Sequence, residues 1–255
     1  MTNNNKTKII KVAAATLMIF SFFLITCSLK TSSKIETPSK IKFIYNIPIV
    51  KLNGELVNIS DSLSIFYLND DILYKFPFIK ALENATSITN QEIKFKYFLY
   101  RKGQPYGYYY DSINTNSFRK LAVDSLLAIK AFVGNKFYDK ANDSLVEVRR
   151  NEEKFSLIEK YVSKVKLDQS YPDTTIIYYK KNLKNIDYTF SKELDSIKKL
   201  KICQIRIVYN SQFYKGYSFK LPQREFRFEL KDEFVEDSKS LINFFIRFRE
   251  DMGNN

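Results

Sequence analysis

The sequence predicts an α+β fold in which antiparallel strands and hairpins pack against three or four helices, the last of them amphipathic. Three observations carry that expectation: a change to strand-like alternation at Lys42, two glycine turns between apolar runs, and a charged, striped C-terminal segment. The elements follow in chain order. Phe43-Ile44-Tyr45 and Ile47 to Val50 alternate as a strand, and Asn53-Gly54 then separates them from a second run at Glu55 to Ile59. Asn-Gly between apolar runs is a strong hairpin signal, and Pro48, which lacks an N–H, places the first strand at an edge or a bulge. Ser64 to Leu68 is a further strand. Lys94 to Arg101 and Tyr106 to Tyr110 flank Gly103-Gln104-Pro105 and form a second hairpin.

Ser117 to Val133 carries Phe118, Leu121, Ala122, Leu126, Ile129 and Phe132 at helical spacing and stops at Gly134, so it is expected to be a helix. Residues 142–166 are charged at first and then place Phe155, Ile158, Tyr161, Val162 and Val165 on one stripe, which predicts a second helix ended before Pro172. Thr175 to Tyr179 is a strand, and Ser191 caps a short helix running to Lys199. Ile202 to Tyr209 is a strand with Cys203, Ile205 and Ile207 on its apolar face, so Cys203 is expected to be a buried core thiol. Arg224 to Leu230 alternates Phe226, Phe228 and Leu230 with Arg227 and Glu229. The final helix is expected over Asp232 to Arg249, with Asp232, Glu233, Glu236 and Asp237 at its positive end, Arg247 and Arg249 at its negative end, and Phe234, Leu241, Phe245 and Phe248 in one stripe.

The N-terminus has a different character. Lys6, Lys8 and Lys11 precede an uncharged run from Val12 to Leu29, the form of an export signal or of a single membrane-spanning anchor. Within that run Leu24-Ile25-Thr26-Cys27 resembles the lipobox of bacterial lipoproteins, with Thr26 where that family usually has Gly, Ala or Ser. The resemblance covers residues 1 to about 30. It implies cleavage before Cys27, a lipid on the Cys27 thiol, and a protein held in the cell envelope at a periplasmic or outer-membrane face. An uncleaved anchor and plain secretion are the competing readings. Residues 1–26 are then a signal peptide, 27–41 a lipidated terminus and polar tether, and 42–255 the folded domain. Tyr100 with Gly107-Tyr108, and Tyr209 with Gly216-Tyr217, share a spacing that suggests two similar halves at about 42–135 and 172–255.

Composition limits the chemistry. The chain has no histidine and six glycines, which removes histidine-dependent triads, imidazole metal sites and phosphate-cradling glycine loops. Ser-x-x-Lys recurs at Ser117/Lys120, Ser163/Lys166 and Ser196/Lys199, but with 41 basic residues such spacings arise by chance. No catalytic residue, metal or cofactor is therefore expected, and a histidine-free hydrolase using carboxylates is the enzymatic alternative. The net charge of +13 admits a polyanion, such as lipopolysaccharide or acidic glycan, as a ligand; nucleic acid is not expected. The one segment that interleaves cations with aromatic rings runs from Lys94 to Tyr110, and its candidate ligand-binding residues are Lys94, Lys96, Arg101, Lys102, Tyr106, Tyr108 and Tyr110. The leading expectation is a non-catalytic envelope lipoprotein whose partners are the membrane, through its lipid, and an envelope protein or glycan.

Overall fold

Alternation that persists from strand to strand needs a neighbour on each side, and the chain supplies it with one eleven-stranded antiparallel sheet in the order β6-β5-β4-β3-β2-β1-β13-β10-β9-β8-β7. The computed structural model describes residues 37–84, 87–133, 137, 139, 141–164, 171–183, 186–213 and 219–253, with the backbone alone for 79–84 and 87–91. The N-terminal segment with Cys27, the residues Gly216-Tyr217 of the spacing repeat, and Val165 and Lys166 lie outside them. A first meander runs through β1 (Ser39–Val50), β2 (Leu56–Leu68), β3 (Asp71–Asn84), β4 (Ser87–Arg101), β5 (Tyr106–Tyr110) and β6 (Phe118–Ala122). After helix α1 (Val123–Lys130) a second meander begins at the far edge with β7 (Asp143–Arg150), β8 (Leu157–Ser163) and β9 (Thr174–Lys180). It returns through helix α2 (Lys192–Lys198), β10 (Lys201–Tyr209), the small pair β11 (Gln212–Phe213) and β12 (Lys220–Leu221), and β13 (Arg224–Glu233), which closes on β1. Helix α3 (Ser238–Gly253) ends the described chain.

This overturns the expected balance of helices and hairpins: among the described residues the architecture is sheet-dominated, with three helices laid on it. The helix expected at Ser117 to Val133 divides into β6 and a shorter α1, because Phe118, Lys120 and Ala122 pair with Tyr110, Tyr108 and Tyr106. The helix expected over 142–166 is instead the β7–β8 hairpin. Leu157, Ile158, Glu159 and Tyr161 are all buried there, so the strand has apolar contacts on both faces and its period of two is hidden. The last helix begins six residues late. Asp232 and Glu233 belong to β13, Phe234 is exposed, and Asp237 caps α3 by accepting the Ser240 N–H at 3.1 Å. Ser191 does cap α2, accepting from Leu194 N–H at 3.3 Å. The strand expected from Lys42 begins at Ser39, opposite Tyr67, and the runs at Glu55 to Ile59 and Ser64 to Leu68 are one strand.

Two cores result, one on each face. On the α1 face Phe43, Ile65, Tyr74, Phe98, Tyr179 and Ile205 pack with Val123 and Leu127 of α1 and Leu194 of α2. On the α3 face Phe66, Leu73, Tyr97, Leu99, Tyr108 and Tyr110 pack against Leu241, Phe244, Phe245 and Phe248. Neighbouring residues in β2, β3 and β4 thus serve opposite cores.

Both central prolines sit where a neighbour stops pairing. β13 pairs with β1 only as far as Asn46, two residues before Pro48, and β2 pairs with β3 only as far as Lys75, two before Pro77. Pro48 is therefore not on an edge strand as such; it lies in the part of a central strand that has lost one neighbour, where its missing N–H costs no ladder bond. Beyond these points the β1–β2 and β3–β4 hairpins leave the sheet as two-stranded arms. From Phe76 the second arm is paired along nine residues to Asn84, or roughly 30 Å at 3.3 Å per residue. The first arm turns at Gly54, whose φ of +85° suits glycine, and a Cβ there would lie 2.9 Å from the Phe219 ring.

Gly107 is the tighter constraint. A Cβ at this β5 position would meet Phe98 Cζ at 2.5 Å and the Leu99 carbonyl oxygen at 2.6 Å. Gly107→Ala is expected to destabilise the fold by about 1–3 kcal/mol through overpacking, as measured by chemical denaturation; an unchanged midpoint would show that β5 does not press on β4 in this way.

Candidate functional site

The seven residues picked out between Lys94 and Tyr110 do not assemble into one surface. Strand alternation puts Lys94 and Lys96 on the α1 face with Phe98 and Tyr100, and puts Arg101 on the α3 face with Tyr97 and Leu99. Tyr108 and Tyr110 are buried beneath α3: Tyr108 stacks on Phe118 at 4.3 Å between centroids and meets Phe248 edge-on, and Tyr110 donates its hydroxyl to Asp251 at 2.8 Å. Tyr106 alone is well exposed, with Lys120 5.5 Å from its ring centroid. The sequence could not separate these cases because all three tyrosines share one face of β5, and only α3, more than a hundred residues later, decides which are covered.

Each of the four cations has an acidic partner. Lys94 lies 3.2 Å from Glu92, Lys96 2.9 Å from Asp111, Arg101 2.8 Å from Asp71 and Lys102 2.6 Å from Asp187. Lys96 also sits 5.1 Å from the Phe78 centroid, and its hydrogen bond and charge hold the Asp111 carboxyl below the usual carboxylate range. A polyanion would have to displace these partners, and at exposed pairs neither state has a large advantage.

Sequence reasoning missed the buried carboxylates, because their partners are remote in the chain. Asp71 is 1% exposed and takes hydrogen bonds from Arg101 Nε at 2.8 Å and Arg249 Nε at 2.6 Å, so it joins the end of β4 to α3. Arg249 also donates to the Leu68 carbonyl oxygen, and Arg247 donates to that of Ile113 at 2.7 Å. These arginines therefore orient α3 on the sheet and do not serve its C-terminal dipole. Glu159, in β8, accepts from Lys198 of α2, from Tyr161 at 2.8 Å and from Tyr179 at 3.1 Å. Asp143 accepts from Asp139 N–H at 2.8 Å and Ser163 Oγ at 3.4 Å. Among the described residues, all three buried carboxylates are thus held by fixed donors, and no cluster of His, Cys, Asp and Glu is arranged to hold a metal ion. Cys203 bulges out of the β10–β9 register, donates to the Tyr178 carbonyl oxygen at 3.3 Å, and has its thiol pushed up to about 12 by burial. Of the serine–lysine pairs, Ser117 precedes strand β6, and Lys199 stands at the C-cap of α2 with φ +53°.

Two other features could receive a ligand. A cleft of about 890 Å³ lies over the α1 face, with Ile177, Phe190 and Ile202 along its floor and Asp124, Tyr171 and Glu193 among its lining residues. The second is the end of the sheet from which the arms project. Ile49, Leu52 and Ile59 of the first arm, Ile93 and Phe95 of the second, and Phe213 of β11 all expose large apolar side chains there, Leu52 at 92% and Phe213 at 76%. Single exposed apolar residues are ordinary, but several gathered on neighbouring elements mark a contact surface. No family model matches the chain, and no curated protein matches it.

Apolar burial and the Asp71 contacts can be ranked by magnitude. Phe245→Ala, at a fully buried position, is expected to cost about 3–5 kcal/mol, and Asp71→Asn, which keeps the shape but loses the charge, about 1–3 kcal/mol; denaturant midpoints in the reverse order would contradict packing as the main hold on α3. Burial also raises Cys203 from 9.0 to about 12, and raises Tyr74, Tyr179 and Tyr188 above 10.0. The folded form keeps protons that the unfolded chain releases, so this stability is complete below about pH 9 and falls as pH climbs toward 12. Tyrosinate absorbance from these buried rings should rise together with loss of the far-ultraviolet strand signal; ionisation well before unfolding would show that the rings are wet.

Proposed function

We propose that this chain is an envelope lipoprotein, fastened to a membrane through Cys27, that binds a protein or other envelope component with the arm-bearing end of its sheet and does no chemistry of its own. The observation that carries the binding half is the position of that apolar end. The first strand of the sheet starts at Ser39, paired with Tyr67, and the first turn of the arms comes after the twelve residues of β1. At 3.3 Å per residue that separates the tether's attachment from the exposed Leu52 by roughly 40 Å. A tether at one end and apolar tips at the other suit a protein that stands on a bilayer and reaches away from it. No helix among the described residues is long and apolar enough to cross a membrane.

The polyanion alternative is weaker, since the cations it would use are engaged by Glu92, Asp111, Asp71 and Asp187. A hydrolase would require a carboxylate free to take a proton, and the buried ones are fixed by arginine, lysine, tyrosine and serine donors or a backbone N–H.

Cys27→Ser tests the anchoring half. The full chain should pass from the membrane to the soluble fraction and lose the mass of its lipid, since two or more acyl chains hold a protein stably where one does not. Unchanged membrane retention and mass would overturn the lipid anchor and favour an uncleaved span.

A further inference from the structure

We propose that β7 is a self-pairing edge: two copies of the chain join β7 to β7 in antiparallel fashion about a twofold axis through Val148, and so continue the sheet across the contact. β7 is the last strand of the order at this side, paired with β8 and with no other strand among the described residues. It is exposed over most of its length, and Val146 and Val148 present apolar side chains at 55% and 44% exposure.

The peptide groups set which residue can lie on the axis. Asn151 N–H donates to the Ser156 carbonyl oxygen at 3.1 Å, in the same register that pairs Arg149 with Ile158. Inward-facing peptide groups alternate along an antiparallel ladder, so those of Asn151 and Arg149 face β8 and those of Arg150 and Val148 face outward. Val148 therefore can meet its own copy as a hydrogen-bonded pair, each donating its N–H to the other's carbonyl oxygen. Its neighbours then form the closer, non-hydrogen-bonded pairs, in which side chains on one face come into direct contact.

Those neighbours are Glu147 and Arg149. They share a face and already form an ion pair within one chain at 2.9 Å, with side chains about half exposed. About an axis through Val148, Glu147 of one copy stands opposite Arg149 of the other, and the reverse pair forms by symmetry. An isologous contact requires such self-complementarity, in which each residue meets a partner of opposite charge at an equal distance from the axis. Charges that merely blunt an edge carry no such requirement. The bulge between Leu145 and Glu147 ends the regular strand on one side, so the contact is short. Short contacts belong to the weak class of interfaces, and tethering both copies to one surface, as proposed above, would raise their effective concentration.

Cysteine cross-linking of the full chain in its native cell fraction tests the pairing, with copper–phenanthroline and dissolved oxygen as oxidant. Val148→Cys should give a reducible species of twice the mass, whereas Ile129→Cys, 75% exposed on α1, and the unsubstituted chain should not. Adding Glu147→Arg should cut the yield by roughly tenfold by setting like charges face to face in both symmetric pairs, and adding Arg149→Glu as well should restore it. Equal cross-linking at Ile129, a yield indifferent to the charge reversals, or a product with a protein of another mass would overturn the self-pairing. Fractionation of the unsubstituted chain reads the tether separately, so failure of either reading is seen by itself.

Discussion

A strand has two faces, and in β2, β3, β4 and β5 both are used for core. Ile65 and Phe66, Tyr74 and Leu73, and Phe98 and Tyr97 are adjacent in sequence and buried on opposite sides. This double burial is the constraint on which the rest depends. It fixes the register, because a slip of one residue would exchange the two faces along the whole strand. It demands a cover on each side, which α1, α2 and the aromatic residues Tyr188 and Phe190 supply on one and α3 on the other. It also explains Gly107, since a sheet packed on both sides leaves β5 no room to move away from Phe98.

Helix α3 shows how apolar and polar contacts divide the work. Leu241, Phe244, Phe245 and Phe248 are buried, each at the order of 2 kcal/mol for full burial. The arginine contacts are only partly shielded, with Arg101 and Arg249 about two-fifths exposed, so their charge energy is discounted by solvent. Packing thus supplies most of the hold on the helix. Asp71 selects its orientation, because one fully buried carboxylate must be met by both guanidinium groups. Glu159 does for α2 what Asp71 does for α3, drawing Lys198 to a site already lined by Tyr161 and Tyr179.

How much of this was legible in the sequence follows from how local each signal is. The hairpin turns at Asn53-Gly54 and Gly103, the cap at Ser191, and the strands around Ile205 and Phe228 rest on neighbours a few residues away, and they appear where the pattern put them. Among strands buried on both faces, Ser64 to Leu68, Lys94 to Arg101 and Tyr106 to Tyr110 were legible as strands, whereas β3 and β8 were not. Ile72 to Phe78 is an almost unbroken apolar run, and Leu157 to Tyr161 places side chains at helical spacing by coincidence. Within the candidate segment from Lys94 to Tyr110, the sharing of faces among Lys94, Lys96, Phe98 and Tyr100 could be read from alternation. The burial of Tyr108 and Tyr110 could not, because it depends on a helix 141 residues away in the Tyr110–Asp251 hydrogen bond. The Asp71–Arg249 contact, across 178 residues, carries no local signal at all.

Native-state hydrogen exchange tests the double-core account most directly. If the middle strands tie both faces together, the amides of Ile65, Leu73, Tyr74 and Phe98 should be the slowest to exchange and should share a single opening free energy with the protected amides of α3 and β9, all released only by global unfolding. Protection that divides into two independent levels, one for the α1 face and another for the α3 face, would contradict it.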